Sequence, residues 1–330
     1  MIWNYLKNTK KPILLYGMGN GAEIMIRQLN KIGVEPVGFF ASNDFVRGQK
    51  FLGKQVLTFD EAKKEYSDMI ALISFGTSRD EVIQNIISLD CEKYAPEVPV
   101  VGEQVFDLEF CKKHTAELEE VYSFLEDETS KNTFKELVMY KLDGKIEHLL
   151  ESENSWEDVY KILNLKDENM LDLGAYTGDT ATEFAPFCKK ITAVEPDEKN
   201  FKKLIKNTVG INCVTINAAV SAKNGKIEFS SKGGRNSRLG EGKIIDAISV
   251  DSLKEDFSFI KLDVEGEEKN AILGAQKMLR QKPKLIVSAY HKSEDIFALP
   301  ILIKKLNPEY KVYLRRPRYI PAWDTEYLFI

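Results

Sequence analysis

Short apolar runs alternate with helix-like segments along this chain, in two separate series that together span most of its 330 residues. The first series opens at Pro12–Tyr16 and the second at Met170–Gly174, and a glycine-rich turn follows the opening run of each. Strands that alternate with helices form βαβ units, whose strands pair in parallel. The pattern predicts an α/β protein with two doubly wound, Rossmann-like units.

A helical segment separates the two series. Within it, Ser155 followed by Asp158 predicts a capping box at the start of a helix over Trp156–Leu163. The sequence thus predicts three parts: an N-terminal Rossmann-like domain at 1–111, an acidic helical connector at 112–168 and a C-terminal domain at 169–330.

The C-terminal series is long enough for a seven-stranded sheet. A helix is predicted over Glu267–Arg280, because Ile272, Ala275 and Leu279 recur at helical spacing and Pro283 ends the segment. The predicted strands are Met170–Gly174, Ile191–Glu195, Cys213–Ala219, Phe259–Val264, Leu285–Tyr290, Tyr310–Leu314 and Thr325–Ile330.

The composition excludes several classes of protein. Hydrophobic residues make up 43% of the chain and charged residues 29%, which is typical of globular domains. No apolar stretch approaches the roughly 18 residues that a membrane-spanning helix needs, and the first residues lack the apolar core of a secretory signal. The four cysteines are scattered without a CxxC pair, which argues against zinc or a disulfide framework. We therefore expect a cytoplasmic protein with reduced thiols.

Charge is distributed unevenly along the chain. Residues 111–168 carry 8 basic and 15 acidic side chains, a net charge of −7, whereas residues 169–330 carry 26 and 21, a net charge of +5. The C-terminal excess is small and forms no Lys/Arg stripe, so nucleic acid is not expected as a partner. It does favour a small anionic ligand over a cationic one.

The turn after the first C-terminal strand has the spacing D-x-G-x-x-x-G, with Asp172, Gly174 and Gly178. Ligands of doubly wound sheets bind at the carboxyl ends of the strands, and Glu195 follows the next strand, where an acid can take two ribose hydroxyls. Pyrophosphate favours a tighter G-x-G-x-x-G turn, so this spacing indicates S-adenosylmethionine (SAM), which has no phosphate. The predicted cofactor-binding residues are Asp172, Gly174, Ala175, Tyr176, Thr177, Gly178, Thr180, Glu195, Pro196, Asn217, Ala218 and Asp263.

These segments resemble the FkbM-type SAM-dependent methyltransferases. The resemblance covers about 165–330, and the run Lys261-x-Asp263-x-Glu265-Gly266 is its most specific mark. Two upstream segments, Asp127–Ser130 and Lys141–Gly144, are similar to family members with an extra N-terminal domain. The matching C-terminal segments are Asp172–Thr180, Val194–Pro196, Asn217–Val220, Ser249–Leu253 and Phe259–Glu267.

The resemblance implies a class I methyltransferase fold with a mixed, mostly parallel seven-stranded sheet. It also implies O-methylation, commonly of sugar or polyketide hydroxyls and often in surface-polysaccharide biosynthesis. One position departs from the family pattern. Many relatives have a Glu two residues before the histidine after the fifth strand, whereas this chain has Ala289 there, followed by Tyr290 and His291.

Two side chains are candidates for the base that removes the proton of an acceptor hydroxyl. Asp263 ends the fourth core strand and His291 lies just beyond the fifth. Alternatively, Asp263 orients the amine of SAM and His291 is a hydrogen-bonded surface group. For Glu265 we favour a helix-capping role. Because these carboxylates have other assigned roles, no metal ion is expected.

A polar stretch at Ser231–Gly240 is predicted to be a hairpin loop, and its family counterpart lies beside the active site. Arg235, Ser237 and Arg238 in this stretch are candidates for binding a carboxylate or phosphate of the acceptor. A flexible, solubilising turn is the alternative.

The N-terminal loop Gly17-x-Gly19-x-Gly21-Ala22 resembles a nucleotide-binding fingerprint. The residue near the position of an NAD-binding acid is Ala41, which argues against a working dehydrogenase. Two hypotheses stay open: this domain binds a nucleotide-linked sugar or another phosphate-bearing part of the acceptor, or it is a scaffold that supports dimerisation. For the whole chain, an NAD-dependent oxidoreductase and a non-catalytic binding scaffold are the alternatives to a methyltransferase acting on a small molecule or glycan.

Overall fold

The computed structural model describes residues 1–230, 238–239 and 242–330, with only the backbone described at 238–239. Its first part is a six-stranded sheet of order β3-β4-β2-β1-β5-β6, in which only β3 runs antiparallel to its neighbour. The strands are β1 (Ile13–Tyr16), β2 (Gly38–Ala41), β3 (Lys50–Phe51), β4 (Lys54–Thr58), β5 (Ile70–Ile73) and β6 (Glu92–Tyr94). The surrounding helices are α1 (Ile2–Asn8), α2 (Asn20–Lys31), α3 (Phe59–Glu65) and α4 (Asp80–Ser88).

Burial explains why some strands of this sheet are evident in the sequence as apolar runs and others are not. Every residue of β1, β2 and β5 is buried, and such strands are continuous apolar runs. The strands β3, β4 and β6 lie at or near the sheet edges and mix polar residues with apolar ones. Their pattern resembles that of a loop, so the sequence does not predict them.

Five helices connect the two sheets: α5 (Leu108–Lys113), α6 (Thr115–Phe124), α7 (Glu128–Asp143), α8 (Ile146–Glu151) and α9 (Trp156–Leu163). The Ser155 side chain accepts a hydrogen bond from the Asp158 amide, as the predicted capping box requires. The Asp158 carboxylate, however, pairs with the buried Arg315 of the C-terminal sheet. This tertiary ion pair engages the carboxylate that would otherwise accept the second hydrogen bond of the capping box.

The C-terminal part begins with β7 (Glu168–Leu173) and ends with β17 (Glu326–Phe329). Between them are the strands β8 (Cys188–Val194), β9 (Cys213–Ile216), β10 (Ala219–Val220), β11 (Gly225–Ser230), β12 (Arg238–Leu239), β13 (Lys243–Ile248), β14 (Phe259–Leu262), β15 (Lys284–Ser288) and β16 (Val312–Arg315). The helices are α10 (Asp179–Phe184), α11 (Glu198–Asn207), α12 (Glu268–Leu273), α13 (Gln276–Arg280) and α14 (Asp295–Leu306).

Seven of these strands form a sheet of order β16-β17-β15-β14-β7-β8-β9. The strands from β15 to β9 are parallel, and β17 runs antiparallel to both β15 and β16. This architecture confirms the predicted α/β fold with a mixed, mostly parallel seven-stranded sheet.

A second C-terminal sheet has the order β10-β13-β11-β12. Its strands flank the predicted hairpin loop at 231–240, most of which lies outside the described residues. Only the backbone of 238–239 is described there, and it pairs antiparallel with β11.

The single helix predicted over Glu267–Arg280 is wrong, because the chain forms two helices, α12 and α13, separated at Gly274. A Cβ atom at Gly274 would lie 2.3 Å from the carbonyl oxygen of Ser221, so the backbone there packs directly on another segment. The Asp251 carboxylate accepts hydrogen bonds from the amides of Lys277 and Met278 and thereby caps α13. Both causes come from distant parts of the chain, so helical spacing alone cannot predict the break.

The two large sheets present their carboxyl edges to each other. Thr77, beyond β5, forms an antiparallel bridge with Ile320, and the Val101 amide donates to the carbonyl of His291, at 2.9 Å. One hydrophobic core extends from Leu14 in the first sheet to Phe329 in the second. Within the described residues, no helix is long and apolar enough to span a membrane. The four cysteines are free thiols.

Candidate active site

The glycine loop after β7 packs tightly against the end of β14. Gly174 has φ +83°, and a Cβ atom there would lie 1.8 Å from the carbonyl oxygen of Asp263. Gly178 has φ +88° and forms the N-cap of α10. Only glycine fits a left-handed backbone at such close range. The two glycines therefore bring the loop into contact with the neighbouring strand.

Glu195 follows β8 and is held in place from two sides. Its Oε2 accepts a hydrogen bond from the Tyr176 amide at 2.9 Å, and its Oε1 accepts one from the Asp197 amide at 2.8 Å. Burial raises the pKa of Glu195 to about 7, and these backbone hydrogen bonds limit the rise. The carboxylate is thus oriented before any ligand arrives.

An open cavity lies at this carboxyl edge of the sheet, with about 960 Å³ of empty space that includes open solvent. Its walls come from the ends of β7, β8, β14 and β15 and from the second C-terminal sheet. The lining residues are Gly174, Tyr176, Asp179, Thr180, Glu195, Pro196, Asn200, Ala219, Val220, Phe229, Lys261, Asp263, Val264, Glu265, Glu267, Tyr290 and Asp324.

Residues 172–319 match the family model described as the methyltransferase FkbM domain. This part of the chain is similar to FkbM methyltransferase domains and is called the FkbM domain. The cavity of the FkbM domain lies at the carboxyl edge of its sheet, which is where ligands of doubly wound sheets bind.

Comparison with solved structures extends the similarity of fold beyond that domain. The methyltransferase FkbM from Methylobacillus flagellatus KT is 21% identical, with a TM-score of 0.73, and the match covers 97% of this chain and 90% of that chain. An rRNA methylase from Streptococcus thermophilus is 14% identical, with a TM-score of 0.36, over 54% of this chain and 96% of that one. The first match shows that both parts of this chain share their fold with a single protein. No sequence among the curated proteins matches significantly.

At the centre of the FkbM cavity, Asp263 is held by two neighbours. Lys261 Nζ lies 3.1 Å from Asp263 Oδ2, and the Tyr290 hydroxyl donates to Asp263 Oδ1 at 3.2 Å. Burial alone would raise the pKa of Asp263, but the charges of Lys261 and His291 outweigh it and hold that pKa at about 2. Asp263 is thus a fixed, ionised carboxylate at neutral pH.

His291 lies behind these carboxylates and does not line the cavity. Its side chain is buried, with Nε2 3.6 Å from Asp263 Oδ1 and Nδ1 3.1 Å from Glu268 Oε1. Burial would lower the pKa of His291, but Glu268 and the neighbouring acids raise it to about 10. A base must reach the acceptor hydroxyl, and His291 does not line the cavity, so its position favours a supporting role behind Asp263. His291 is also no surface group, which excludes the alternative reading.

The structure places Glu265 at the cavity, and a different acid stabilises the turn before α12. Glu268 Oε1 accepts hydrogen bonds from the amides of Val264 and Gly266, at 2.9 and 3.3 Å, both of which precede the helix. Glu265 itself has φ +52°, an uncommon conformation for this residue type, and it lines the cavity. Glu268 thus holds the left-handed turn at Glu265 and Gly266 in place.

The structure divides the predicted cofactor residues into two groups. Gly174, Tyr176, Thr180, Glu195, Pro196 and Asp263 line the cavity. Asp172, Ala175, Thr177, Gly178, Asn217 and Ala218 do not line it.

Two of the predicted residues that do not line the cavity, Asn217 and Thr177, hydrogen-bond to other parts of the site or of its flanking helix. Asn217 Nδ2 donates to the backbone carbonyl of Glu195 at 2.8 Å. The Thr177 carbonyl accepts a hydrogen bond from Asn207.

Several cavity residues escape prediction from the sequence. Tyr290 precedes His291, which is the more obvious candidate for a base in this part of the sequence. Asp324 lies in an irregular segment before β17. The backbone pairing of Phe229 places it beside the cavity through the second C-terminal sheet. Of the predicted acceptor residues, Arg235 and Ser237 lie outside the described residues, and for Arg238 only the backbone is described.

The N-terminal glycine loop is packed differently. A Cβ atom at Gly17 would lie 2.7 Å from a ring carbon of Phe75, and one at Gly21 would lie 2.1 Å from the carbonyl oxygen of Ser74. Gly19 has φ +98° and no atom within 4 Å of such a Cβ. Packing of α2 against the end of β5 therefore accounts for two of the three glycines.

Proposed function

We propose that this methyltransferase transfers the methyl group of SAM to a hydroxyl of a saccharide or similar metabolite. One observation carries the proposal: the cavity combines a glycine loop, an oriented acid after the second strand and an ionised carboxylate at the end of the fourth. The glycine loop matches the amino acid end of SAM, the oriented acid matches the ribose, and the ionised carboxylate matches the reacting centre. Surface-polysaccharide biosynthesis is the setting that the family resemblance suggests for this reaction.

The residues present fit SAM. The two amides and the Asn200 side chain use three of the roughly four acceptor positions of the Glu195 carboxylate, which leaves one for a ribose hydroxyl. Ala219 and Val220 offer small apolar side chains for a flat base. SAM supplies a methyl group activated by a positively charged sulfur.

Asp172 provides a further test of the fit. It is fully buried beneath the loop, and its two carboxylate oxygens have no hydrogen-bond partner within the described residues. Burial raises the pKa of Asp172 to about 7. A buried carboxyl group without partners is costly. The ammonium group of SAM would reduce this cost through its positive charge.

In the proposed reaction, the acceptor oxygen bonds to the methyl carbon while the carbon–sulfur bond breaks and its electron pair stays on sulfur. The hydroxyl proton passes to a cavity carboxylate. Holding the reacting atoms in line contributes about 7–11 kcal/mol in well-oriented systems. Asp263 is the carboxylate we assign to the methyl position, because Lys261 and Tyr290 fix both of its oxygens.

Calorimetric titration with SAM tests the cofactor site. We expect Glu195→Gln to weaken SAM binding by at least about tenfold, since hydrogen bonds to charged groups contribute roughly 1.5–3 kcal/mol. Glu198→Gln is the matched control, because Glu198 is exposed on α11 and pairs with Lys202. Equal affinity in both variants would remove this assignment.

Methyl transfer is tested separately. Incubation with tritiated SAM and a bacterial glycan extract should label the glycan, and hydrolysis should release the label as an O-methyl sugar. Label in protein or nucleic acid alone would contradict the proposed acceptor class.

A further inference from the structure

A second, larger cleft lies between the two parts of the molecule, with about 2590 Å³ of empty space that opens to solvent. One wall is the face of α2 that carries Ile24 and Arg27, together with the segment 96–103. The other wall includes Trp323, just before β17. Both parts of the chain therefore contribute to one binding surface.

The cleft and the FkbM cavity adjoin. Among the described residues, Glu265 and Tyr290 are the two that line both spaces. The Tyr290 hydroxyl donates to Asp263, the carboxylate assigned to the methyl position. A molecule in the cleft could thus place one hydroxyl beside Glu265 and Asp263 while the rest stayed outside the cofactor cavity.

The topology supports the cleft as a ligand site. Ser74 and Phe75 follow β5, and Tyr290 follows β15, so the cleft is lined from the carboxyl edges of both sheets. Ligands of doubly wound sheets bind at that edge. The N-terminal sheet therefore presents its binding edge to the same space as the catalytic sheet.

The charges on the walls largely cancel. Lys31 pairs with Glu103 at 3.4 Å, and Glu97 pairs with the buried Lys141. Arg27 and Glu23 are the remaining charges that α2 adds to the lining. The cleft has no excess of positive charge among its described residues, so it does not select an anion.

Aromatic rings form part of the apolar lining, together with aliphatic side chains such as Ile24 and Val101. Trp323, Phe75 and Tyr290 all line the cleft. The C–H face of a sugar ring packs well on flat aromatic surface, and its hydroxyls donate to carboxylates such as Glu265. This combination suits a neutral, polyhydroxylated molecule.

We propose that the methyl acceptor binds in this interdomain cleft and is a neutral saccharide, held by α2 and Trp323 and presenting one hydroxyl past Glu265 and Tyr290. This inference rests on the proposed function. It replaces the anionic acceptor expected from the net charge of residues 169–330. It also gives the N-terminal domain a role in recognising the acceptor.

The test uses tritiated SAM and a bacterial cell-envelope glycan extract, separated by anion exchange into neutral and acidic fractions. Ile24→Trp fills the cleft from α2, and Asn30→Trp is the matched control on an exposed position of the same helix that does not line the cleft. With limiting neutral fraction, we expect Ile24→Trp to reduce transfer at least tenfold and Asn30→Trp to leave it within twofold. SAM affinity, measured by calorimetry, should stay within twofold in both.

Trp323→Ala provides a second route, with Trp156→Ala as the control in the connector. We expect Trp323→Ala to raise the KM for the neutral fraction and to change kcat little. Equal transfer by Ile24→Trp and Asn30→Trp would overturn the cleft as the acceptor site. Label only in the acidic fraction would overturn the neutral saccharide but leave the proposed function intact. A wild type that binds SAM but labels neither fraction would overturn both.

Discussion

The two glycine loops of this protein follow the first strand of two similar sheets, yet their surroundings differ: the C-terminal loop lines the cavity beside Glu195, whereas the N-terminal loop lies at the interdomain cleft. In front of Gly174 lies the space bounded by Glu195 and Asp263, whereas Gly17 faces the ring of Phe75. Glycines permit a tight turn between strand and helix in both places. A glycine pattern therefore identifies the turn, and its surroundings decide whether a ligand can use it.

The residue after the second strand differs in the same way. Glu195 follows β8, and Ser42 holds the corresponding place after β2. Ser42 Oγ lies 2.5 Å from the Tyr16 hydroxyl, so the two side chains satisfy each other. The residue after β2 is thus engaged in an internal hydrogen bond, whereas the FkbM domain presents an acid at the corresponding place.

The largest expected effect comes from the buried charges beneath the FkbM cavity. Lys261→Met should lower the free energy of unfolding by about 3–5 kcal/mol, since it leaves buried carboxylates without their cation. Asp263, whose Oδ2 lies 3.1 Å from Lys261 Nζ, loses its ion pair. Urea unfolding at pH 7 measures the change.

The N-terminal sheet offers the comparison for that variant. Lys11 pairs with Glu92 at a partly exposed edge, and Lys11→Met should change the urea midpoint little. Similar losses in the two variants would contradict the distinction between a buried and a partly exposed ion pair.

Alanine at the first glycine of each loop tests the packing difference. Both positions have positive φ, so both variants carry backbone strain. Gly174→Ala also meets a backbone oxygen, whereas Gly17→Ala meets a side chain that can move, so we expect Gly174→Ala to cost about 1–3 kcal/mol more. SAM binding should be lost only in Gly174→Ala. Loss of SAM binding in Gly17→Ala would show that the N-terminal loop supports the cofactor site.

A smaller, pH-dependent effect distinguishes the strands that precede the loops. Asp172 lies two residues before Gly174, and Leu15 holds the corresponding place before Gly17. The pKa of Asp172 is raised to about 7 in the folded protein, mainly by burial. As pH rises from about 4 to 7, the unfolded chain releases this proton and the folded protein keeps it, so stability falls.

Asp172→Asn should reduce that pH dependence by at most about 1.4 kcal/mol per pH unit. Unfolding free energies at pH 5, 6 and 7 give the slope, and Asp246→Asn, on exposed β13, serves as the control. A slope equal to that of the wild type would mean that Asp172 titrates normally.

The smallest expected effect concerns nucleotides. A SAM concentration of 100 times Kd should stabilise the wild type by about 2.7 kcal/mol. UDP-sugars, NAD and NADP should leave the melting temperature unchanged, because no acid directly follows β2 to bind a ribose and Ser42 is paired with Tyr16. A shift with a UDP-sugar that persists in Gly174→Ala would restore the nucleotide hypothesis for the first domain.

Much of the fold follows from local sequence patterns. The strands β1, β5 and β7 are short apolar runs next to glycine turns, so near-neighbour spacing suffices to find them. The break between α12 and α13 could not be found in this way, because Asp251 and Ser221 cause it from outside the segment. Prediction failed where a distant contact competed with a local preference.

The candidate site divides along the same line. Gly174 and Glu195 are set by their spacing from the first strand, and both line the cavity as predicted. The environment of His291 depends on tertiary packing. Three acids surround its imidazole and favour the protonated form, and the ring does not line the cavity. No spacing rule describes such a cluster.

The sequence by itself determined the strand and loop order, because each turn depends on residues only a few positions apart. It also carries the resemblance of the C-terminal domain to the FkbM family. Only the tertiary structure decided that Glu265 lines the cavity and that Glu268 stabilises the turn before α12. It alone brought α2 and Trp323, nearly three hundred residues apart in sequence, to one cleft, since that cleft depends on how the two sheets pack edge to edge.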